Sequence, residues 1–248
     1  MDSGAARSRA RSRHVSLAGA LALGVALGLY YAFHDRLWEG STWWDIAFLS
    51  FVLIPACFAL VLLVLPLWHW RWCIVAAVVL GLLAFVFHLV GLSTLENFSK
   101  LFGVTAVGFA FLSYFEALSW VVLVSLIVPW VDAYSVWRGP TKVIVTEHRE
   151  VFTNFSFAFP IPGQPNAANL GLPDLLFFAL FLAATARFHL RTRLTWLLMT
   201  LSFGATLEIA VWRELGGLPA LPLLALGFLL PNCDLIWRQL RPRADDRS

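Results

Sequence analysis

Long apolar runs with few charges make up most of this chain, and they limit the folds that it can adopt. The sequence has 248 residues, of which 60% are hydrophobic and 13% are charged, and its mean hydropathy is +0.77. Inside a lipid bilayer every backbone N–H and C=O group must be bonded within the protein, so only helices and closed barrels span it. Runs of about 20 residues match the length of a transmembrane helix. The sequence therefore predicts an all-α polytopic membrane protein, and its composition excludes a soluble domain.

The runs predict a bundle of about eight transmembrane helices. Residues 101–138 are too long for one helix of about 20 residues, so we divide them near Ser113–Glu116. The predicted helices cover 15–33, 45–67, 72–92, a short fourth helix from 101, then 116–138, 173–190, 194–212 and 218–237. The predicted regions are a basic tail at 1–14, a helical scaffold at 15–115, a core with the candidate chemistry at 116–237 and a polar tail at 238–248.

The basic residues predict an orientation for this bundle. With eight helices and a cytoplasmic N-terminus, 12 of the 18 Lys and Arg residues lie on the inner side. If 101–138 formed one helix, the Lys and Arg residues would be divided equally between the two sides of the membrane. Lys and Arg prefer cytoplasmic loops, so their distribution favours eight helices with both termini in the cytoplasm. Only Lys100 and Lys142 are lysines. This bias indicates a GC-rich bacterial genome, and hence a bacterial cytoplasmic membrane.

The one long loop, at 139–170, contains segments with strand character. KVIV at 142–145 contains three β-branched residues, and FSFAFPI at 155–161 alternates phenylalanine with other residues. PIPGQPN at 160–166 is a turn-rich spacer. A strand at this depth must pair its backbone groups with protein, water or a bound peptide. We therefore expect a short strand-like loop beside the helices.

Two aspartates lie within apolar runs, Asp132 in SLIVPWVDAYSVW and Asp174 in NLGLPDLLFFALFLA. An ionised carboxylate in hydrocarbon is unfavourable, so such residues usually face a water-filled cavity or a partner. Pro129 bends the helix before Asp132 and can open room for water. Two carboxylates on successive helices indicate a shared site in which the pair holds one proton. The alternatives are structural: Asp132 bonded to a neighbouring helix, and Asp174 an ordinary acidic residue at a helix start.

A third element, Leu218-Pro219-Ala220-Leu221-Pro222, opens the last apolar run. Two prolines three residues apart leave the start of that helix extended or bent. The alternative is a helix cap and a bend that have no part in a site. Three cysteines lie within or beside apolar runs, and their spacing suggests neither a disulfide framework nor a metal site: Cys57, Cys73 and Cys233.

The three elements together resemble the presenilin and signal peptide peptidase family, the GxGD intramembrane aspartyl proteases. That family has an aspartate near the end of one helix, GLGD opening the next and a PAL motif opening the last. Here the order is VDAYSVWRGPTKVIVTEHRE, NLGLPDLLFF and GLPALPLLALGF, within about 116–237. The resemblance implies a compact, bacterial, presenilin-like member. The chain departs from the family at Pro173, where the family has glycine, at Val131, where tyrosine is usual, and in having eight predicted helices rather than nine.

The resemblance implies that Asp132 and Asp174 are the catalytic pair. One ionised aspartate would take a proton from water while the other, protonated, polarises the scissile carbonyl group. The substrates would be transmembrane helices or remnant signal peptides in the lipid bilayer, with no metal, organic cofactor or nucleic acid. Six further residues would bind the substrate: Gly171, Leu172, Pro173, Pro219, Ala220 and Leu221.

Two other functions remain open at this stage. A transporter or channel with an acidic midplane site would also explain the aspartates and the bent helices, although such proteins often contain an internal repeat and we see none here. An inactive presenilin-like protein that binds other membrane proteins would keep the motifs without cleaving anything.

Overall fold

A computed structural model describes residues 18–19, 21–138, 154–213 and 218–241. These residues are mostly helical, with one two-stranded sheet. We number the elements in chain order: α1 (21–33), α2 (Thr42–Leu67), α3 (Cys73–Val90), α4 (Ser93–Leu112), α5 (Leu118–Arg138), β1 (Ser156–Pro160), β2 (Ala167–Gly171), α6 (Leu172–Arg187), α7 (Thr192–Trp212) and α8 (Leu221–Leu240). The predicted all-helical class with a short strand-like loop is confirmed.

Five of these helices, α2, α3, α5, α7 and α8, are long and apolar enough to cross a membrane. The chain is therefore an integral membrane protein. α2 contains a π-helical turn at Leu49–Leu53, directly before Pro55. Proline has no N–H to donate to the preceding turn, and such a gap in the bonding ladder favours a local widening of the helix.

The predicted division of 101–138 is confirmed as a helix break. α4 ends at Leu112 and α5 begins at Leu118. Arg187 Nη1 donates a 2.6 Å hydrogen bond to the Leu112 carbonyl oxygen, which also accepts from the Phe115 N–H at 3.1 Å. The start of the fourth helix was predicted wrongly, because α4 begins at Ser93 and spans 20 residues. The first turns of α4 contain polar residues, so the hydropathy pattern did not show them. These residues are paired in the fold: Glu96 Oε1 lies 2.6 Å from Lys100 Nζ, and Glu96 Oε2 lies 3.3 Å from His88 Nδ1.

Contacts between helix ends divide the bundle into two sides. On the first, called the hairpin side, the Gly163 N–H donates to the His34 carbonyl at 2.7 Å, and Asn97 at the start of α4 bonds to Ala158 in β1. On the second, called the arginine side, Arg187 reaches the end of α4 and Arg191 bonds to Asp234 near the end of α8. Helix ends therefore alternate between two layers along the chain, as in an up-and-down bundle.

The core is centred on α6. Nine of its 16 residues are buried, and Phe178 forms a cluster with Phe58 on α2 and Phe203 on α7, whose ring centroids lie 4.2 and 6.0 Å from its own. A Cβ atom at Gly108 of α4 would lie 2.8 Å from the Leu176 carbonyl oxygen, so glycine allows α4 and α6 to approach closely. By contrast, only 11% of the apolar window in α3 and in α5 is buried, which leaves these two helices facing lipid.

The sheet is an antiparallel hairpin that leads directly into α6. Ser156 pairs with Gly171 and Pro160 with Ala167, and the connecting turn places Gly163 at φ 69°. The predicted strand in FSFAFPI is confirmed, and the second strand, β2, includes the first three residues of NLGL. The third predicted strand segment, KVIV at 142–145, lies outside the described residues.

Candidate active site

Asp132 lies in the last two turns of α5, three residues after Pro129, and it is half-buried. Its Oδ2 accepts a 3.0 Å hydrogen bond from the Leu221 N–H, and the Ala220 backbone lies close to the same carboxylate. Both residues belong to the Leu-Pro-Ala-Leu-Pro element. The aspartate and this element, predicted separately from the sequence, thus form one structural unit.

The Asp132 carboxylate caps the first turn of α8. Leu218, Pro219 and Ala220 are not helical, and α8 begins at Leu221 with Pro222 in its first turn. The N-cap residue Ala220 has no side chain that could bond to the free N–H groups of that turn. A carboxylate is well placed there, since a helix N-terminus carries exposed N–H donors and a partial positive charge. The predicted non-helical start of this segment is confirmed.

Asp174 is the third residue of α6 and follows β2 after only two residues. Its carboxylate lies beside the backbone of Gly171, which is the N-cap position of α6. An acidic side chain that reaches back to the N-cap N–H is one half of a capping box. The structural interpretation of Asp174 as a helix-start residue therefore holds, and it is compatible with a second role.

The fold brings the two aspartates together. Their carboxyl groups are close enough to interact electrostatically. Both side chains are half-buried, and among the described residues neither one forms an ion pair with a lysine, arginine or histidine. Two like charges without a cation repel each other, and a shared proton relieves that repulsion. The pair can thus present one ionised and one protonated carboxyl group to a bound molecule.

The other predicted site residues surround this pair. Gly171 makes close contact, since a Cβ atom added there would lie 3.1 Å from Asp174 Oδ2. Leu172 and Pro173 form the first turn of α6, and the Pro173 side chain is exposed. Pro219 is buried beside Ala220 and Leu221, and the Leu221 N–H bonds to Asp132. All eight residues therefore lie at one site, although their predicted roles stay predictions.

The hairpin brings an unpaired strand edge to the same site. The Leu172 N–H bonds to the Phe155 carbonyl and the Ile161 N–H to the Asn166 carbonyl, so alternate pairs of the register bond across the hairpin. By this alternation the backbone groups of Ala167, Asn169 and Gly171 point away from β1. The sheet has two strands, so no described strand covers that edge. It ends at Gly171, beside Asp174.

The other edge of the hairpin is closed by residues that the sequence analysis missed. Asn97 accepts from the Ala158 N–H at 2.9 Å and donates to its carbonyl oxygen at 2.7 Å. The Tyr31 hydroxyl donates to the same oxygen at 2.9 Å, and the Tyr30 hydroxyl donates to the Pro160 carbonyl at 2.7 Å. A polar Asn in a helix of the scaffold was the available signal, because buried polar groups are almost always bonded. Its partner, 61 residues away, gave no signal in the sequence.

No protein-family model, curated protein or solved structure matches this chain at a significant level. The resemblance to presenilin and signal peptide peptidase therefore rests on the three short motifs alone. The geometry adds that these motifs meet at one site.

Proposed function

We propose that this protein is an intramembrane aspartyl protease of the presenilin and signal peptide peptidase type. One observation carries the proposal: Asp132 and Asp174, on successive helices, approach each other, and among the described residues no cation pairs with them and no strand covers the edge of β2 beside them. Paired carboxylates that share one proton are the chemical basis of aspartic proteases.

In the proposed reaction the ionised carboxylate takes a proton from a water molecule, and that water attacks the scissile carbonyl carbon. The protonated carboxyl group donates its hydrogen to the carbonyl oxygen, which yields a tetrahedral gem-diol. The C–N bond then breaks as a proton is transferred to the leaving nitrogen. The proton belongs to the pair, because two coupled acids titrate together.

The backbone of the Leu-Pro-Ala-Leu-Pro element supports the position of one carboxylate. The Leu221 N–H bonds to Oδ2 of Asp132, and this bond limits the rotation of the carboxylate. Rigid placement of the reacting group lowers the entropic part of the barrier. This is the role that the proposal gives to Ala220 and Leu221.

A substrate helix must unwind before its peptide bonds can be attacked, and the open edge of β2 offers a place for the unwound segment. An added strand would pair with the backbone of Ala167 and Asn169 and with the Gly171 carbonyl group, as in β-augmentation. Gly171, Leu172 and Pro173 would then contact the residues next to the scissile bond. Substrates of this kind are transmembrane helices and remnant signal peptides.

The proposal includes an orientation in a bacterial cytoplasmic membrane. With the N-terminus in the cytoplasm, the excess of Arg and Lys assigns the arginine side to the cytoplasm and the hairpin side to the exterior. Both termini are then cytoplasmic. Such an active site favours segments whose N-terminus is cytoplasmic, as signal peptides have.

The test is cleavage of a tagged transmembrane reporter by the purified protein in liposomes. Asp132→Asn and Asp174→Asn should each abolish the product, detected by mass spectrometry, because an amide cannot take a proton from water. Glu208→Gln is the matched control, since it also neutralises a half-buried acidic residue within a helix, and it should retain cleavage. Cleavage that survives in either Asp variant would refute the proposal. A folded wild-type protein that binds reporters without cutting them would indicate an inactive relative instead.

A further inference from the structure

A second candidate site lies on the arginine side, far along α6 from Asp174. It is a cavity of about 300 Å³ between the α2–α3 connection, the end of α4 and the end of α6. Arg71 and Arg187 line it, together with His69 and Ser113, and no acidic residue does. The polar part of its wall therefore carries hydrogen-bond donors and positive charge.

Neither arginine has a carboxylate partner among the described residues. Arg187 uses one nitrogen on the Leu112 carbonyl and stacks on Phe188 at 5.4 Å, and Arg71 stacks on Trp72 at 5.1 Å. Arg191, on the same side, is by contrast held by Asp234 through bonds of 2.6 and 2.7 Å. A guanidinium group has five N–H donors, so both cavity arginines keep donors for an anion. Two such groups at one cavity form a typical phosphate site.

The remaining wall is apolar and adjoins lipid. Ile74 is 54% exposed and Trp70 is 49% exposed, at the start of the lipid-facing helix α3. Phe109 of α4 forms the inner part of the wall. Tryptophan is enriched where a bilayer meets water, which is the depth of lipid headgroups. The cavity thus joins a cationic end to an apolar end at that depth.

We propose that this cavity binds an anionic phospholipid, with the phosphate group between Arg71 and Arg187 and an acyl chain along Ile74. A lipid fits better than a free anion because half of the lining is apolar and borders the membrane. This site needs none of the residues proposed for proteolysis, so it holds whether or not the protein is a protease.

The experiment is native mass spectrometry of the purified full chain with added phosphatidylglycerol. Wild-type protein should retain one lipid, and Arg71→Gln/Arg187→Gln should weaken its apparent affinity by about tenfold or more, as expected for the loss of charged hydrogen bonds. The matched control is Arg36→Gln/Arg213→Gln. These two arginines also stack on an aromatic neighbour, at 5.2 and 4.6 Å, but they do not line the cavity. The control should bind as the wild type does.

Further variants and ligands test whether lipid retention depends on the charge of the two arginines and on the lipid itself. Arg71→Lys/Arg187→Lys keeps the charge and should retain more lipid than the Gln pair. If loss of the Arg187 bond to Leu112 unfolds the protein, Arg71→Gln alone decides the question, since the Arg71 side chain is exposed and forms no hydrogen bond or ion pair with the described residues. Equal retention of phosphatidylcholine, equal loss in the control pair, or displacement of the lipid by millimolar inorganic phosphate would each overturn the proposal.

Discussion

The Leu221 N–H donates a 3.0 Å hydrogen bond to Asp132 Oδ2, although the two residues are 89 positions apart in the chain. This bond joins the end of α5 to the start of α8. It also gives the Asp132 carboxylate two separable functions, because capping a helix needs only an acceptor, whereas taking a proton from water needs a charged oxygen.

The first prediction separates those two functions. Asp132→Asn keeps an acceptor for Leu221 and should leave the thermal midpoint nearly unchanged while abolishing reporter cleavage. Asp132→Ala removes the cap as well, and we expect a further loss of about 1 kcal/mol in stability. Thermal unfolding in detergent, compared between the two variants, measures the difference. If both variants are equally stable, the cap contributes nothing.

The second prediction concerns the close approach of Gly171 to Asp174. The added methyl group of Gly171→Ala would lie 3.1 Å from Asp174 Oδ2 and displace the carboxylate by a few tenths of an ångström. We expect the cleavage rate to fall by about tenfold or more, since catalysis depends on sub-ångström placement. Gly28→Ala is the control because nothing lies within 4 Å of its added Cβ atom. A Gly171→Ala enzyme that works at the wild-type rate would contradict this assignment.

The third prediction concerns Pro173, an exposed residue in the first turn of α6. Pro173→Gly restores the glycine that the presenilin and signal peptide peptidase family has at this position. It also adds an N–H group that can donate a hydrogen bond to a substrate carbonyl oxygen. We expect cleavage to be preserved or increased, as measured by initial rates in liposomes. A clear loss would mean that this protein depends on proline to fix the start of α6.

The fourth prediction concerns the support of the hairpin. Asn97→Leu removes both hydrogen bonds to Ala158 and leaves the partly buried Ala158 N–H without a side-chain acceptor. We expect a loss of about 1–3 kcal/mol in stability and faster amide hydrogen exchange at 156–160. Thr105→Val, lower on the same helix, is the control because that hydroxyl bonds only to Leu101 of its own helix. Unchanged exchange in Asn97→Leu would show that the tyrosines hold the hairpin without it.

The fifth prediction is the orientation in the membrane. In a background without the three cysteines, Asn166→Cys and Arg193→Cys place exposed thiols on the hairpin side and the arginine side. A membrane-impermeant thiol reagent applied to intact cells should label position 166 and leave 193 unlabelled. Labelling of 193 alone would reverse the orientation and, with it, the expected class of substrate.

The local elements of this fold were largely predictable. The break between α4 and α5 followed from the length of 101–138, and the strands followed from alternating aromatics and turn residues. The first turns of α4 were missed because Glu96 and Lys100 lower the local hydropathy, and only their mutual contact makes them acceptable in a helix of the bundle.

The joining of distant parts was less predictable. Chain order and the motif resemblance suggested that Asp132 and Asp174 share a site, but no pattern in the sequence indicated that Leu221 bonds to Asp132. The side chains that bond to the hairpin backbone could not be predicted either, since Tyr31 and Ala158 are 127 residues apart in the sequence. Contacts over such separations depend on how the helices pack, which periodicity along one helix does not encode.

The Asn97 side chain bonds to the outer edge of β1, and this limits where a further strand can add to the sheet. An exposed strand edge recruits further strands, and in an apolar solvent that recruitment would continue into aggregates. Among the described residues, Asn97, Tyr30 and Tyr31 bond to the outer backbone groups of β1, so an added strand could pair only along β2. Under the proposed function, each molecule would therefore hold one unwound segment beside the aspartates, and a second segment could bind there only after the first had left.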